Sequence, residues 1–302
     1  MFCLSDFFHE IKEKKSYKGK KYGIIRKNDP NCGLFSSFIV ILGGIKKCIE
    51  KGIVPVVDMQ TYKTPYLRDE QVGKENVWEF YFQQPMSIGL DQINMAEAMI
   101  IDDGIDIVEV ERPNINMEFL NDPSCIRYWR NICKKYIRFR PEIQSFLEKE
   151  YKALLAAHEG KILGILCRGT DYISIEPPGH PVQPNVDSVI VKARDVLMEK
   201  ECECIFLATE DADIFRKFKI EFGNRVIVNQ SDRFSNTGRR YLAEILREKN
   251  IDGYTYGLNY LATIYLLSRC DYLIAGRTSG LLGALLLGEQ YEYQYFWNCG
   301  LY

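Results

Sequence analysis

Residues 161–184 read KILGILCRGTDYISIEPPGHPVQP. The apolar run Ile162–Cys167 is short and uncharged, which is the pattern of a strand buried on both faces of a parallel sheet. Polar residues follow at once, so Arg168, Asp171, Glu176 and His180 are expected on one loop beyond its carboxyl end. In open α/β sheets that edge is where ligands sit. The planar fork of an arginine suits a phosphate, and a carboxylate eight residues later can accept a proton without neutralising the fork. Pro177, Pro178, Pro181 and Pro184 restrict the backbone and make a long loop stiff. The competing reading is a proline-rich surface crossover carrying ordinary solvated charges.

Outward from this stretch toward the C-terminus the pattern alternates. Helices are predicted over 187–199, 211–222, 239–249, 257–269 and 279–287, and strands over 203–209, 225–228 and 271–275. Such alternation predicts a parallel sheet covered by helices. Three of its strands end in polar clusters: Arg168-Gly169-Thr170-Asp171, Thr209-Glu210-Asp211 and Gly276-Arg277-Thr278-Ser279-Gly280. A parallel sheet brings all three to one edge. In the last cluster the N–H groups of Ser279 and Gly280, with the Thr278 and Ser279 hydroxyls, form a pyrophosphate-sized receptor at a helix start. It has neither the Gly-Lys-Ser/Thr of a phosphate-binding P-loop nor the GxGxxG of a dinucleotide site. Helix capping alone would explain Thr209–Asp211 or Thr278–Ser279; their coincidence at one edge is what points to a site. Asp211-Ala212-Asp213 resembles a metal-binding DxD, yet both carboxylates fall in a first helical turn, where negative charge needs no metal.

Toward the N-terminus, strands are predicted over 21–26 and 53–58 around a helix over 34–51, a βαβ unit. Its first turn would offer the N–H groups of Leu34, Phe35 and Ser36 to an anion, making Asn31, Gly33 and Ser36 secondary phosphate or sugar candidates, with ordinary turn chemistry as the alternative. Asn76 is placed to cap a short aromatic helix over 77–82, whose Trp78 and Phe82 read as core rather than as a sugar platform. A strand over 105–110 and helices over 122–138 and 141–157 follow, and the helical pattern stops at His158. Two domains are therefore expected, 1–158 and 159–302, with the aromatic tail from Tyr291 crossing back over the first.

The 302 residues are 46% apolar and carry a net charge of −2. That balance argues against nucleic acid as a partner. The basic block Lys12–Lys21 reads as a solvated turn, with peripheral contact to anionic lipid as the alternative. The N-terminal residues lack the apolar core of a signal peptide, and residues 34–45 fall short of the roughly 20 needed to span a bilayer. A cytoplasmic protein without a transmembrane segment is expected. The ten cysteines are scattered, as suits reduced thiols, and the lone CxC at Cys202 and Cys204 has no second ligand pair for zinc.

Taken together, three segments resemble the motifs of the α1,6-fucosyltransferases and their protein O-fucosyltransferase relatives. They are Arg168 to Asp171 with Glu176 and His180-Pro181, Phe206 to Asp211, and Leu267 through Ser279. The match covers most of residues 161–287; over 22–85 it is looser, a Gly-Leu-Phe-Ser turn at Gly33–Ser36. The resemblance implies an α/β fold of two Rossmann-like domains (GT-B-like), a GDP-fucose donor, a glycan or glycoconjugate acceptor, inversion at the anomeric carbon, and no metal or other cofactor. Carried over by position, Arg168 would bind the β-phosphate, Glu176 would be the base, Asp171 would contact or support the sugar, and Ser279 would hold the pyrophosphate. Gly33, Ser36, His180, Thr209, Glu210, Asp211, Thr278 and Gly280 would complete the donor site. The chain departs from the pattern at Gly169, where a second arginine is expected, and at Tyr172, where a lysine is. It departs again at Leu166 and Thr263, which stand where the family reads guanine with histidine and aspartate. Transfer from another nucleotide sugar, or binding without catalysis, are the alternatives these departures leave.

Overall fold

A computed structural model describes residues 21–102, 110–235 and 237–302. The first half forms β1 (Tyr22–Arg26), α1 (Leu34–Glu50), β2 (Val54–Val57), α2 (Val77–Tyr81), β3 (Met99–Asp102), α3 (Met117–Leu120), α4 (Pro123–Tyr136) and α5 (Pro141–Leu154). The second half continues with β4 (Ile162–Leu166), α6 (Thr170–Ile175), α7 (Val186–Glu199), β5 (Cys204–Ala208), α8 (Ala212–Phe222) and β6 (Val226–Ile227). It ends with α9 (Leu242–Glu248), α10 (Gly253–Leu267), β7 (Tyr272–Ala275), α11 (Ser279–Leu287) and β8 (Tyr293–Phe296). Two sheets result, one ordered β2-β1-β3 and one ordered β6-β5-β4-β7-β8. Every pairing is parallel.

β4 is central in its sheet, and all five of its residues are buried. Its side chains alternate between two apolar layers. Ile162 and Leu166 join the large core shared with α1, α10 and α11, while Leu163 and Ile165 face Val189 and Ala193 of α7. The large core runs without a break from Ile25 of β1 to Leu273 of β7, so the two sheets are held by common packing. One close approach is at Gly283 of α11, where a Cβ would stand 2.3 Å from the Phe35 ring of α1. Only glycine lets these helices meet here, and residues at both helix starts, Ser36 and Ser279, line one cavity.

The sequence reading needs four corrections. The tail does not cross to the first sheet: β8 adds parallel to β7, and Leu301 then pairs with Pro181 while the N–H of Gly179 donates to the carbonyl of Tyr302 at 3.1 Å. The prolines of that loop leave few backbone donors of their own, and the tail meets its remaining polar groups. Helix α10 starts at Gly253, four residues earlier than expected, because the Asp252 carboxylate caps it by accepting from the Thr255 N–H. A short helix, α6, occupies what was read as loop. The expected strand over 105–110 lies, except for Val110, outside the described residues, as does nearly all of the Lys12–Lys21 block; the third strand of the first sheet is instead Met99–Asp102.

The described cysteines are free thiols, and Cys202 and Cys204 lie in the core. Among the described residues no helix is long and apolar enough to cross a membrane, and no group of three or more His, Cys, Asp or Glu is placed to hold a metal ion.

Candidate functional site

A cavity of about 540 Å³ opens at the carboxyl edge of β4, β5 and β7, facing the start of α1. This volume is within the range of small-molecule sites. Of the sequence candidates, Gly33, Ser36, Arg168, Asp171, His180, Thr209, Glu210, Thr278, Ser279 and Gly280 line it. Glu176 and Asp211 are not on its wall.

Arg168 occupies the floor, its side chain 20% exposed. One terminal nitrogen donates to Asp171 Oδ1 at 2.9 Å, and its Nε is 3.6 Å from Glu210 Oε1. That second approach is too long for a hydrogen bond, and the buried Nε has no other partner. The face of the Tyr172 ring covers the guanidinium at 4.9 Å, and the same ring lies 5.7 Å from the His180 ring. Burial works against the guanidinium charge, but Glu210 and Asp171 outweigh it and raise the pKa well above its ordinary value. Arg168 is therefore a fixed cation.

The two carboxylates are themselves held. Asp171 Oδ1 also accepts from its neighbour's Tyr172 N–H at 3.0 Å, and Oδ2 from the Leu242 N–H of α9 at 3.3 Å. Glu210 Oε1 accepts from the Gly169 N–H at 3.0 Å and the Thr170 hydroxyl at 2.8 Å. Thr170 carries this linkage at φ 47°, a left-handed conformation that a β-branched residue rarely adopts. Such strain, on the order of 1–3 kcal/mol, persists only where the surroundings over-determine it. Here they do: the Thr170 N–H donates to Asp211 Oδ2 while its hydroxyl is bound to Glu210.

Asp211 is thus a structural anchor. Its other oxygen caps α8 by accepting from the N–H groups of Asp213 and Ile214, and Asp213 pairs with Arg216 at 2.8 Å. The packing also accounts for Gly169, since a Cβ there would stand 2.3 Å from Asp211 Oδ2. Glu176 ends α6, exposed and at φ 54°. Its neighbours Pro177 and His180 line the cavity, so it stands at the border.

At the opposite wall the Thr278 hydroxyl is committed to capping α11, accepting from the Leu281 N–H at 3.4 Å. The first N–H groups of a helix have no intrahelical acceptor, so those of Ser279 and Gly280 are not used within α11, and both residues line the cavity. The start of α1 differs from expectation. The Leu34 N–H is taken by the Tyr66 hydroxyl at 2.7 Å and the Ser36 N–H by the Gly33 carbonyl at 3.0 Å, so little is left there for an anion.

Sequence reasoning missed part of the wall: Tyr256, Asn259 and Tyr260 of α10, Leu242 of α9, and Lys27, Asp29, Arg112 and Asp232. Tyr256 and Tyr260 had a signal, standing four residues apart on one face of the helix GYTYGLNYLATIYLL. Lys27, Asp29, Arg112 and Asp232 come from loops and carried none. Among the described residues the cationic side chains of the wall are Lys27, Arg112 and Arg168, against the carboxylates Asp29, Asp171, Glu210 and Asp232. There is no cationic excess to attract a phosphate.

No known family model matches the chain, and no curated protein matches its sequence. Solved structures do match. A crystal structure of NodZ alpha-1,6-fucosyltransferase soaked with GDP-fucose superposes with a TM-score of 0.51 at 16% identity, covering 89% of this chain and 93% of that one. Fucosyltransferase NodZ from Bradyrhizobium gives a TM-score of 0.50 at 15% identity, covering 89% and 94%. A variant of Arabidopsis thaliana FUT1 in complex with GDP gives 0.51 at 10% identity, covering 96% and 74%. At such identities the likeness is one of architecture, and the chain has an α/β fold of two parallel, helix-flanked sheets similar to that of the GT-B fucosyltransferases.

Proposed function

We propose that this protein is a glycosyltransferase of the fucosyltransferase type, moving L-fucose from GDP-fucose to a hydroxyl of a glycan or glycoconjugate with inversion. The observation that carries the reading is the Arg168 guanidinium, held at the carboxyl edge of β4 and sharing one cavity with the open N–H groups of Ser279 and Gly280. Solved structures of this fold hold GDP-fucose or GDP. In this reading residues 159–302 bind the donor and 1–158 serve the acceptor side.

Glu176, at the cavity border, takes the proton of the acceptor hydroxyl as that oxygen attacks the anomeric carbon. The bond from that carbon to the β-phosphate oxygen breaks, and its electron pair leaves with the nucleotide. The leaving group gains negative charge as the bond lengthens, so donors fixed in advance act on the transition state more than on the bound substrate. Arg168 supplies the positive charge and turnover is expected to persist in EDTA. Glu176→Gln is expected to bind GDP as the wild type does and to lose about 10²–10⁴-fold in kcat, the usual contribution of a positioned base. A variant with near wild-type kcat would assign the proton to another wall carboxylate, Asp29 or Asp232.

A second reading, transfer from a different nucleotide sugar, is favoured by one contact. The Thr263 hydroxyl lies 3.0 Å from Asn229 Oδ1 and 2.8 Å from the Asn259 carbonyl, so it is already engaged and has no carboxylate to offer a guanine. Melting curves with GDP, UDP and ADP decide between the two, because a ligand bound only by the folded chain raises its melting temperature. GDP is expected to give the largest shift; a larger shift with UDP would select the second reading, and no shift with any would reject both.

A further inference from the structure

Tyr260 sits on α10, one turn beyond Tyr256, with its ring edge-on to Phe35 at 5.6 Å between centroids. It shares the cavity wall with Arg168, Ser279 and Gly280. Its hydroxyl lies against the start of α11, so near that a Cβ built on Gly280 would stand 2.8 Å from it. Among the described residues no hydrogen bond or ion pair engages this hydroxyl. Burial pushes the phenol up to about 12, which keeps it a proton donor at any physiological pH.

The charge balance of the wall gives this donor its importance. The guanidinium of Arg168 is already offset by Asp171 and Glu210, at 2.9 and 3.6 Å, so its remaining pull on a diphosphate is reduced. An anion seated at Ser279 then needs neutral donors beside it as well as the guanidinium. Two are backbone N–H groups, and a third stands beside them.

We propose that Tyr260 donates its hydroxyl proton to the terminal phosphate of the bound nucleoside diphosphate, forming with the N–H groups of Ser279 and Gly280 a neutral-donor seat for the leaving group. The inference rests on the glycosyltransferase reading and adds to it a residue of α10, outside the three strand-end clusters. It also gives position 280 a reason to be glycine: any side chain there would push the hydroxyl off the seat.

Tyr260→Phe removes the hydroxyl and keeps the ring against Phe35. Calorimetry with GDP and UDP, against GMP and UMP, reads the terminal phosphate separately from the nucleoside. The expected result is about a 10-fold loss of diphosphate affinity with monophosphate affinity unchanged, the size of one neutral hydrogen bond. Donor turnover is expected to fall by roughly 10²-fold in kcat with a smaller change in donor KM, because the bond strengthens as charge develops. Gly280→Ala is expected to mimic the loss, and the double variant to be no worse than either single one. If Tyr260→Phe binds the diphosphate and turns over as the wild type does, Tyr260 has no such role while the glycosyltransferase reading stands. If the wild type binds neither diphosphate, that reading fails and this inference with it.

Discussion

Arg168→Ala is expected to lower transfer by about 10³-fold or more. The guanidinium lies between Asp171 and Glu210, so removing it deletes the buried cation and leaves two carboxylates facing a cavity that must accept a diphosphate. Loss of one fixed donor to a developing oxyanion costs about 10²–10³-fold by itself. The uncompensated carboxylates add repulsion of the donor and destabilise the fold, by an amount on the order of a few kcal/mol for a buried pair broken on one side. Arg168→Lys is expected to recover little, because a point charge cannot span both carboxylates and lie flat on the Tyr172 ring. kcat and donor KM, measured at a temperature where circular dichroism shows the variant folded, check this. Retention of more than a tenth of wild-type kcat would move the positive charge of the mechanism to Lys27 or Arg112.

The second large effect is on stability. Trp78 is fully buried, stacks on Phe82 at 4.4 Å, lies 6.3 Å from Phe38 of α1, and donates its ring N–H to the Gln83 carbonyl at 3.0 Å. Trp78→Ala is expected to cost about 3–5 kcal/mol, the transfer term plus the cavity left behind. For a chain of this size that is a fall on the order of 10 °C in melting temperature. Trp78 is not on the cavity wall, so donor and acceptor KM of the folded variant are expected to stay at wild-type values. A raised acceptor KM with unchanged melting would make Trp78 a sugar platform rather than core.

How far the molecule could be read in advance depended on whether the signal was local. The strand at 162–166, with its uncharged run bounded by a lysine and an arginine, and the helix at 77–81, with Asn76 accepting from the Trp78 N–H, declare themselves within a few residues. The β8 strand YQYF does not: it is half-exposed at a sheet edge and exists because β7 presents an unpaired side. Likewise the N–H of Leu34 looked available for an anion in sequence. It is used by the hydroxyl of Tyr66, 32 residues away, and only folding brings them together. The strand-end clusters could be foreseen as neighbours because parallel strands share an edge, whereas nothing local said which face of α10 would meet that edge.

Residue order alone determined the alternation of strands and helices, the parallel sheet at 162–275, and the meeting of Arg168, Thr209 and Ser279 at its edge, since periodicity and strand direction are properties of neighbouring residues. Tertiary structure alone decided what each of those side chains does with its charge. It set Arg168 between two carboxylates, turned Asp211 into an anchor for a strained Thr170, left Glu176 at the border of the cavity, and aimed the Tyr260 hydroxyl at the start of α11. Hydrogen-bond partners and burial depend on atoms distant along the chain, and no pattern in a short window of sequence encodes them.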